Sequence, residues 1–375
     1  MLLVLIITAL AVYTLSIGRA RTQDLYTIEM APALFKNVTE HEKWELKTQG
    51  KGFLDVTLYP ELQQYAQLRA ANVAPTVTYP EAAEHTAAVK ALLPSLDKDR
   101  LKTILTTFSD FFNRYYNFQY GVQSSEWLLE QISNIILASN ARSTFVKPFE
   151  HPWPQSSIIA TIPGKSNKTI IISAHQDSIN INFDWPEGGR APGADDDGSG
   201  SMTILEALRV ILSVPQVAAG EALNTLEFHW YAAEEAGMLG SQAIFTDYRR
   251  KQKDVRAMMH QDMTGYVKPE TTASIGIFTD YVDPGLTTFI EKMVVAYCKI
   301  PYVESTCGYG CSDHVSAWKA GYPSSLVSES AFENTLGDDI LHTSQDTMEN
   351  IDLDHMLEHA KLVVGFAYEL AFATL

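Results

Sequence analysis

Cysteine is scarce in this chain: three residues in 375, too few for a disulfide-built scaffold. Positive charge is in deficit too, with 28 Lys and Arg against 45 Asp and Glu and a net charge of −17. Such a surface repels phosphate backbones, which argues against a nucleic-acid partner. Glycine and proline, at 21 and 16, are at ordinary levels and exclude collagen-like and low-complexity classes. Beyond the extreme N-terminus no run of 18 uninterrupted apolar residues occurs, so no stable membrane association is expected of the remainder. Two hydrolase signatures are also missing, the G-x-S-x-G nucleophile elbow and the H-E-x-x-H zinc helix. What is present, 46% hydrophobic residues, is ample for a globular core.

The chain opens on an apolar run over residues 2–17 that ends in Gly18-Arg19-Ala20. Small residues at both cleavage-determining positions read as a secretory signal over residues 1–20, hence a secreted, extracellular protein. The competing reading is an uncleaved anchor, for which the run is slightly short. Export changes how the cysteines are read. Cys307 and Cys311, four apart, suggest a small local disulfide loop; half of a zinc site is the alternative, but there is no second Cys pair to complete it. The sequons at Asn37 and Asn167 become candidate glycosylation sites.

Residues 21–78 are polar and mixed, without clear periodicity before residues 61–70. After a signal peptide this reads as a pro-segment; a small subdomain that stays attached is the alternative. Helical spacing follows in Val89, Leu92, Leu93 and Leu96, and again in Leu101, Ile104, Leu105 and Phe108. A further helix is expected to open at Ser124. Strands are then expected at 157–162, 169–174, 225–232, 255–261, 273–278 and 322–327, and helices at 201–212, 241–249, 284–296 and 353–373. The alternation predicts an α/β three-layer sandwich, with a mixed, largely parallel central sheet flanked by helices, over residues 79–375.

Polar residues collect where these strands end, the ligand-binding rim of an open α/β sheet. His175-Gln176-Asp177-Ser178 follows one strand, Glu234-Glu235 another and Asp262-Met263 a third. Asp195-Asp196-Asp197 precedes a helix, and His342 lies in Leu341-His342-Thr343-Ser344-Gln345-Asp346. Each is unremarkable alone: a solvated loop histidine, an N-cap cluster, a surface acid. Gathered on one rim, so much negative charge demands compensation, and divalent metal supplies it. Histidine and carboxylate without thiolate is a zinc-type hydrolase set, and a shared carboxylate suits two metals. Asp177 is placed to orient His175 through its other ring nitrogen. Of the Glu234-Glu235 pair, one can bind metal while the other stays free as a general base.

In order, H-Q-D-S, G-A-D-D-D-G-S-G, A-A-E-E-A-G-M-L-G-S, Q-D-M-T, C-G-Y-G-C-S-D-H and L-H-T-S-Q-D-T resemble the secreted di-zinc leucyl aminopeptidases of bacteria and fungi. Their superfamily includes glutamate carboxypeptidase and glutaminyl cyclase. The resemblance runs from about Tyr79 to the C-terminus and includes Asn113-Arg114-Tyr115-Tyr116; residues 42–55 are similar to pro-segments of the fungal type. It implies two zinc ions, one held by His175 and Asp262, the other by Glu235 and His342, with Asp196 bridging both. It implies Glu234 as the general base toward a metal-bridging water, Asp177 as the residue orienting His175, and Tyr309 as a donor to the developing oxyanion or, equally, a pocket wall. Peptides with free N-termini and Leu-like first residues are the implied substrates, and a monomer the implied state. An apolar pocket is expected from Met263, Ile277, Phe332, Leu341 and the disulfide, although Ser328 stands where an aromatic residue is expected. The rival readings are a carboxypeptidase, with Arg190 as its carboxylate-binding group, a one-metal glutaminyl cyclase, and a non-catalytic receptor-like ectodomain.

Overall fold

The computed structural model describes residues 24–71, 77–182, 188–337 and 339–375. The expected signal peptide lies outside the described residues. In chain order the elements are β1 (Tyr26–Ala31), β2 (Leu34–Val38), α1 (Glu40–Thr48), β3 (Leu54–Asp55), α2 (Glu61–Ala71), α3 (Thr86–Leu92), α4 (Lys98–Asp110), α5 (Gln119–Ser139), β4 (Phe145–Phe149), β5 (Ser157–Ile162), β6 (Thr169–His175), α6 (Gly200–Ile211), α7 (Pro215–Ala218) and β7 (Thr225–Tyr231). They continue with α8 (Leu239–Arg250), β8 (Val255–Gln261), β9 (Ile275–Phe278), α9 (Pro284–Tyr297), β10 (Tyr302–Ser305), α10 (His314–Lys319), β11 (Ser324–Ser328) and α11 (Leu353–Phe372).

Eight strands form one mixed sheet in the order β10-β9-β11-β8-β6-β7-β5-β4. The central strands β8, β6 and β7 run parallel, as do β11 with β8 and β10 with β9. The pairs β11–β9, β5–β7 and β4–β5 are antiparallel. The sandwich expected from the alternation of strands and helices is therefore the observed fold. β6 is buried at every position, as its unbroken Ile170-Ile171-Ile172 run requires of a central strand covered on both faces. One face packs under α6, α9 and α11 in the main core, and the other under α8 and α10.

Elements the sequence reading did not anticipate lie where pattern is weak. β4 is an edge strand, largely exposed, and carries Pro148; an edge tolerates proline, whose presence otherwise argues against a strand. α5 begins at Gln119 rather than Ser124 because Gly121, which reads as a breaker, sits inside the helix. A Cβ there would lie 2.1 Å from the Tyr115 carbonyl oxygen. Strands β1, β2 and β3 form a separate three-stranded sheet within the stretch read as aperiodic, since β2 is exposed at four of its five positions.

This N-terminal unit is built onto the main body. Leu62 of α2 is buried in the core beneath α8 and α10, with Phe245 and Ala317. Lys319 donates to Glu29 at 2.7 Å with both side chains buried, and Gln242 donates to the Asp55 carbonyl at 2.8 Å.

A second buried charge cluster is expected to make the fold sensitive to acid. Glu227 on β7 accepts hydrogen bonds from Lys253 at 2.6 Å and the Tyr248 hydroxyl at 2.8 Å, and meets His229 at 3.1 Å. Burial acts to raise its pKa, but His229 and Lys253 outweigh that and push it down to about 2. A depressed carboxylate stabilises the fold above its unfolded pKa of about 4.3 and loses that contribution as pH falls toward the folded value. Glu227→Gln is expected to lower neutral-pH stability by roughly 3 kcal/mol. It should also flatten the loss of stability between about pH 4.5 and 2, read by chemical denaturation across that range.

Candidate metal centre and active site

The functional side chains stand at the carboxyl ends of the three central parallel strands and on two loops that reach over them. His175 ends β6, Glu234 and Glu235 follow β7, and Asp262 follows β8. Asp196 lies in the turn Ala194–Ser199 ahead of α6, and His342 comes from the long loop between β11 and α11. Several non-glycine residues around the rim hold left-handed backbone: Ala233 (φ 57°), Met238 (φ 57°), Met263 (φ 59°) and His342 (φ 56°). Such conformations cost free energy and cluster at functional sites.

Asp196 faces two ways. Its Oδ1 lies 2.9 Å from His175 Nε2, and its Oδ2 lies 2.9 Å from His342 Nε2. Asp262 Oδ1 completes the first side at 3.6 Å from His175 Nε2, and Glu235 Oε2 the second at 3.1 Å from His342 Nε2. The five residues thus form two groups with metal-binding spacing, His175–Asp196–Asp262 and Asp196–Glu235–His342, that share one carboxylate. Burial and neighbouring carboxylates work against each other here. Desolvation acts to lower the pKa of His342, but Glu235 and Asp196 carry it up to about 10. His175 is likewise raised, against burial, by Asp177, Asp196 and Asp262. An assembly that draws protons onto its histidines is one with an excess of negative charge, the condition that divalent cations satisfy. The donor set of imidazole nitrogen and carboxylate oxygen fits zinc.

Asp177 behaves differently from expectation in detail. Its distance to His175 Nδ1 is 3.5 Å, the long limit of a hydrogen bond. Its firmer contacts are with the next loop: Oδ1 accepts from Glu234 N–H at 3.0 Å and Oδ2 from Glu235 N–H at 3.2 Å. It therefore anchors the acidic pair as well as facing the imidazole. Glu234 is fully buried beside the two groups without belonging to either. Burial pushes its pKa well up, while Lys47 and His175 act to lower it.

Other carboxylates that the sequence reading left without a role brace the same loops. Asp346 accepts from the N–H groups of Asp195 and Asp196 at 2.9 and 3.0 Å. Asp197 accepts from the N–H of His175 at 3.1 Å and of Met263 at 3.0 Å, joining three ligand-bearing segments. Ser312 donates to Asp262 Oδ2 at 2.5 Å. Their signal was there, in the aspartates of D-D-D and S-Q-D, but a carboxylate that binds metal and one that binds backbone N–H look alike in sequence.

Beside the two groups opens a cavity of about 440 Å³. Met263, Phe332, Leu341, Ser328 and the Cys307–Cys311 disulfide line it as expected. Ile277 does not: it is fully buried, and its neighbour Phe278 lines the cavity instead. Adjacent strand residues face opposite ways, so a one-residue error of phase exchanges them. Tyr309, on the disulfide loop, borders the cavity with its pKa pushed up to about 12, chiefly by burial. Asp280 accepts from the N–H groups of Cys307 and Gly308 and anchors that loop. Arg190 is absent from the lining and sits half-exposed beside Asp110. His229, His260 and His314 are buried and belong to neither group.

The N-terminal unit reaches into this cleft. Residues 47–53 line it, and Lys47 Nζ donates to Glu235 Oε2 at 3.0 Å, the same oxygen that faces His342. A Cβ at Gly52 would fall 2.1 Å from the Tyr309 ring, so only glycine fits there.

Comparison with known proteins agrees with this geometry. The profile of Peptidase family M28 matches residues 157–367. The chain belongs to this family. Leucine aminopeptidase 1 of Pyrenophora teres f. teres is 53% identical over 354 residues, covering 93% of this chain and 89% of the relative. Leucine aminopeptidase 1 of Colletotrichum graminicola is 52% identical over 355 residues, covering 93% and 86%. Among solved structures, the LapA aminopeptidase of Legionella pneumophila superposes with a TM-score of 0.81 at 26% identity, over 94% of this chain and 100% of that one. Glutaminyl cyclase of Porphyromonas gingivalis shares the fold, with a TM-score of 0.60 at 18% identity over 73% of this chain and 99% of that one. This M28 chain is thus a peptidase with candidate metal-binding groups. Among its described residues no helix is long and apolar enough to cross a membrane.

Proposed function

We propose that this M28 peptidase is a secreted, monomeric aminopeptidase that removes Leu-like N-terminal residues from peptides, using two zinc ions and Glu234 as general base. The observation that carries the reading is Asp196, whose two oxygens each lie 2.9 Å from a different histidine. His175, Asp196 and Asp262 would hold one zinc, and Asp196, Glu235 and His342 the other. Zinc so held supplies Lewis acidity and a water whose pKa is lowered to about 7. Glu234 takes a proton from the attacking water and returns it to the leaving amine; a buried carboxyl of raised pKa suits both transfers. Tyr309 donates to the carbonyl oxygen as it gains charge. The carboxylates of the centre receive the free α-ammonium, and the apolar cavity receives the first side chain.

The presence of two ligand groups favours this over a one-metal cyclase, and Arg190's place outside the cleft speaks against Arg190 as the carboxylate anchor of a carboxypeptidase. Hydrolysis of Leu-p-nitroanilide beside its N-acetylated form tests the reading. Cleavage of the free amine alone is expected; equal cleavage of both, or cleavage only of substrates with a free carboxylate, would sink it.

The segment before residue 79 reads as a pro-segment that keeps the enzyme latent, with the Lys47 ammonium seated on Glu235 and Gly52 against Tyr309. Breaking a buried ion pair costs several kcal/mol, so proteolytic removal of the segment from the folded protein should raise turnover by on the order of 10²-fold. Lys47→Met in the full chain should raise it in part. Unchanged turnover after clean removal would rule out latency. Glycans are expected at exposed Asn37 and Asn167.

A further inference from the structure

Among the described residues Arg114 is the largest fully buried charged side chain, and it has no part in the chemistry above. It lies between α4 and α5 with no exposed surface, and its guanidinium stacks on Phe108, 4.3 Å from the ring centroid. Among the described residues, all its side-chain hydrogen bonds go to main-chain carbonyls. Nε donates to Gln176 at 2.8 Å, one terminal nitrogen to Pro192 and, at 3.5 Å, to Phe108, and the other to Gly193 at 2.8 Å and Asp196 at 3.4 Å. The main-chain N–H of Arg114 binds Ser178 Oγ at 3.0 Å. Gly193 makes room for this fork: a Cβ there would stand 2.7 Å from the guanidinium.

Apart from the Phe108 carbonyl on α4, these partners belong to two segments. Gln176 and Ser178 follow His175; Pro192, Gly193 and Asp196 lie in the stretch that carries the shared carboxylate. Burying a cation without a contacting anion is costly. Burial does push the arginine's pKa down, to about 10, while Asp346, Asp196, Asp177 and Asp197 oppose it. The planar fork spans both segments at fixed separation, which a lysine ammonium cannot do. Its charge also sits behind the carboxylates that the centre must hold together.

We propose that Arg114 is a positioning residue for the metal centre: its guanidinium sets the distance between His175 and Asp196 and so determines how tightly the His175–Asp196–Asp262 group holds its ion. The proposal rests on the reading of that group as a metal site. Residues that orient metal ligands are commonly worth about 10–100-fold in metal affinity.

The test is Arg114→Lys in the full chain, read by zinc affinity in chelator competition, by the visible spectrum of the cobalt(II)-loaded protein, and by the rise in Tm that zinc produces. A ligand that binds only the folded state raises Tm by an amount that grows with the logarithm of its affinity. A mere structural brace lowers Tm of the metal-free and loaded forms alike. A positioning residue shrinks the gain from zinc. Expected are one of two ions held about 10–100-fold more weakly, an altered cobalt spectrum and, once the N-terminal segment has been removed, a lowered kcat with KM little changed. Wild-type zinc affinity and cobalt spectrum in a folded Arg114→Lys protein would overturn the proposal. Should that variant fail to fold, Phe108→Leu removes the ring beneath the guanidinium and leaves its hydrogen bonds. A smaller change in zinc affinity and spectrum is expected there, and none would overturn the proposal. If wild type gains no stability from zinc or cobalt, the metal reading itself fails and the proposal with it.

Discussion

Glu234→Gln is expected to abolish turnover while leaving the metal centre intact. The side chain is buried within the site but belongs to neither ligand group, and its backbone is held by Asp177 rather than by its own carboxylate. Glutamine keeps the shape and removes the carboxylate proposed to accept a proton from water and return it to the amine. General acid–base catalysis is typically worth about 10²–10⁴-fold, and one residue serving both transfers places the loss at or above the top of that range. Zinc content and Tm should match wild type. Activity within a few-fold of wild type, measured as kcat on Leu-p-nitroanilide after removal of the N-terminal segment, would take Glu234 out of the base role.

Asp196→Asn should have the opposite signature, a lost centre rather than a silent one. Asp196 alone belongs to both ligand groups, and its carboxylate is braced by Asp346 through the N–H groups of residues 195 and 196. Removing its charge weakens both groups together. Bound zinc is expected to fall from about two per chain to fewer than one, with kcat down by about 10³-fold or more. The same variant breaks the buried contacts of the carboxylate with His175 and His342, which hold its pKa well down, so metal-free stability at neutral pH should fall as well. Two zinc ions retained in Asp196→Asn would mean that the site does not share this carboxylate.

Much of this was legible in the residues, for identifiable reasons. β6 announced itself because a central strand is apolar throughout, and His175 followed because the run ends there. The candidate ligands could be placed on one rim because strand ends of a parallel sheet converge there; their division into two groups came from the family resemblance. What stayed hidden was of three kinds. Edge strand β4 and the exposed strand β2 carry little alternation, because half-solvated edges impose little. The bracing residues Asp346, Asp197 and Arg114 were visible as letters, but their work is done toward backbone atoms of distant segments, and sequence does not record which carbonyl a guanidinium will face. The exchange of Ile277 for Phe278 in the cavity is of a third kind, a phase error in a four-residue strand too short to fix its own register. Least foreseeable was Lys47, 188 residues before its partner Glu235, in a segment whose own pattern is weak.

The most direct measurement is a zinc titration of the metal-free, N-terminally processed protein, following bound zinc and Leu-p-nitroanilide hydrolysis in the same samples. The account predicts about two zinc ions per chain, no turnover without them, and turnover that rises as the sites fill. Saturation at a single ion with full activity, or hydrolysis by protein that binds no metal, would contradict it.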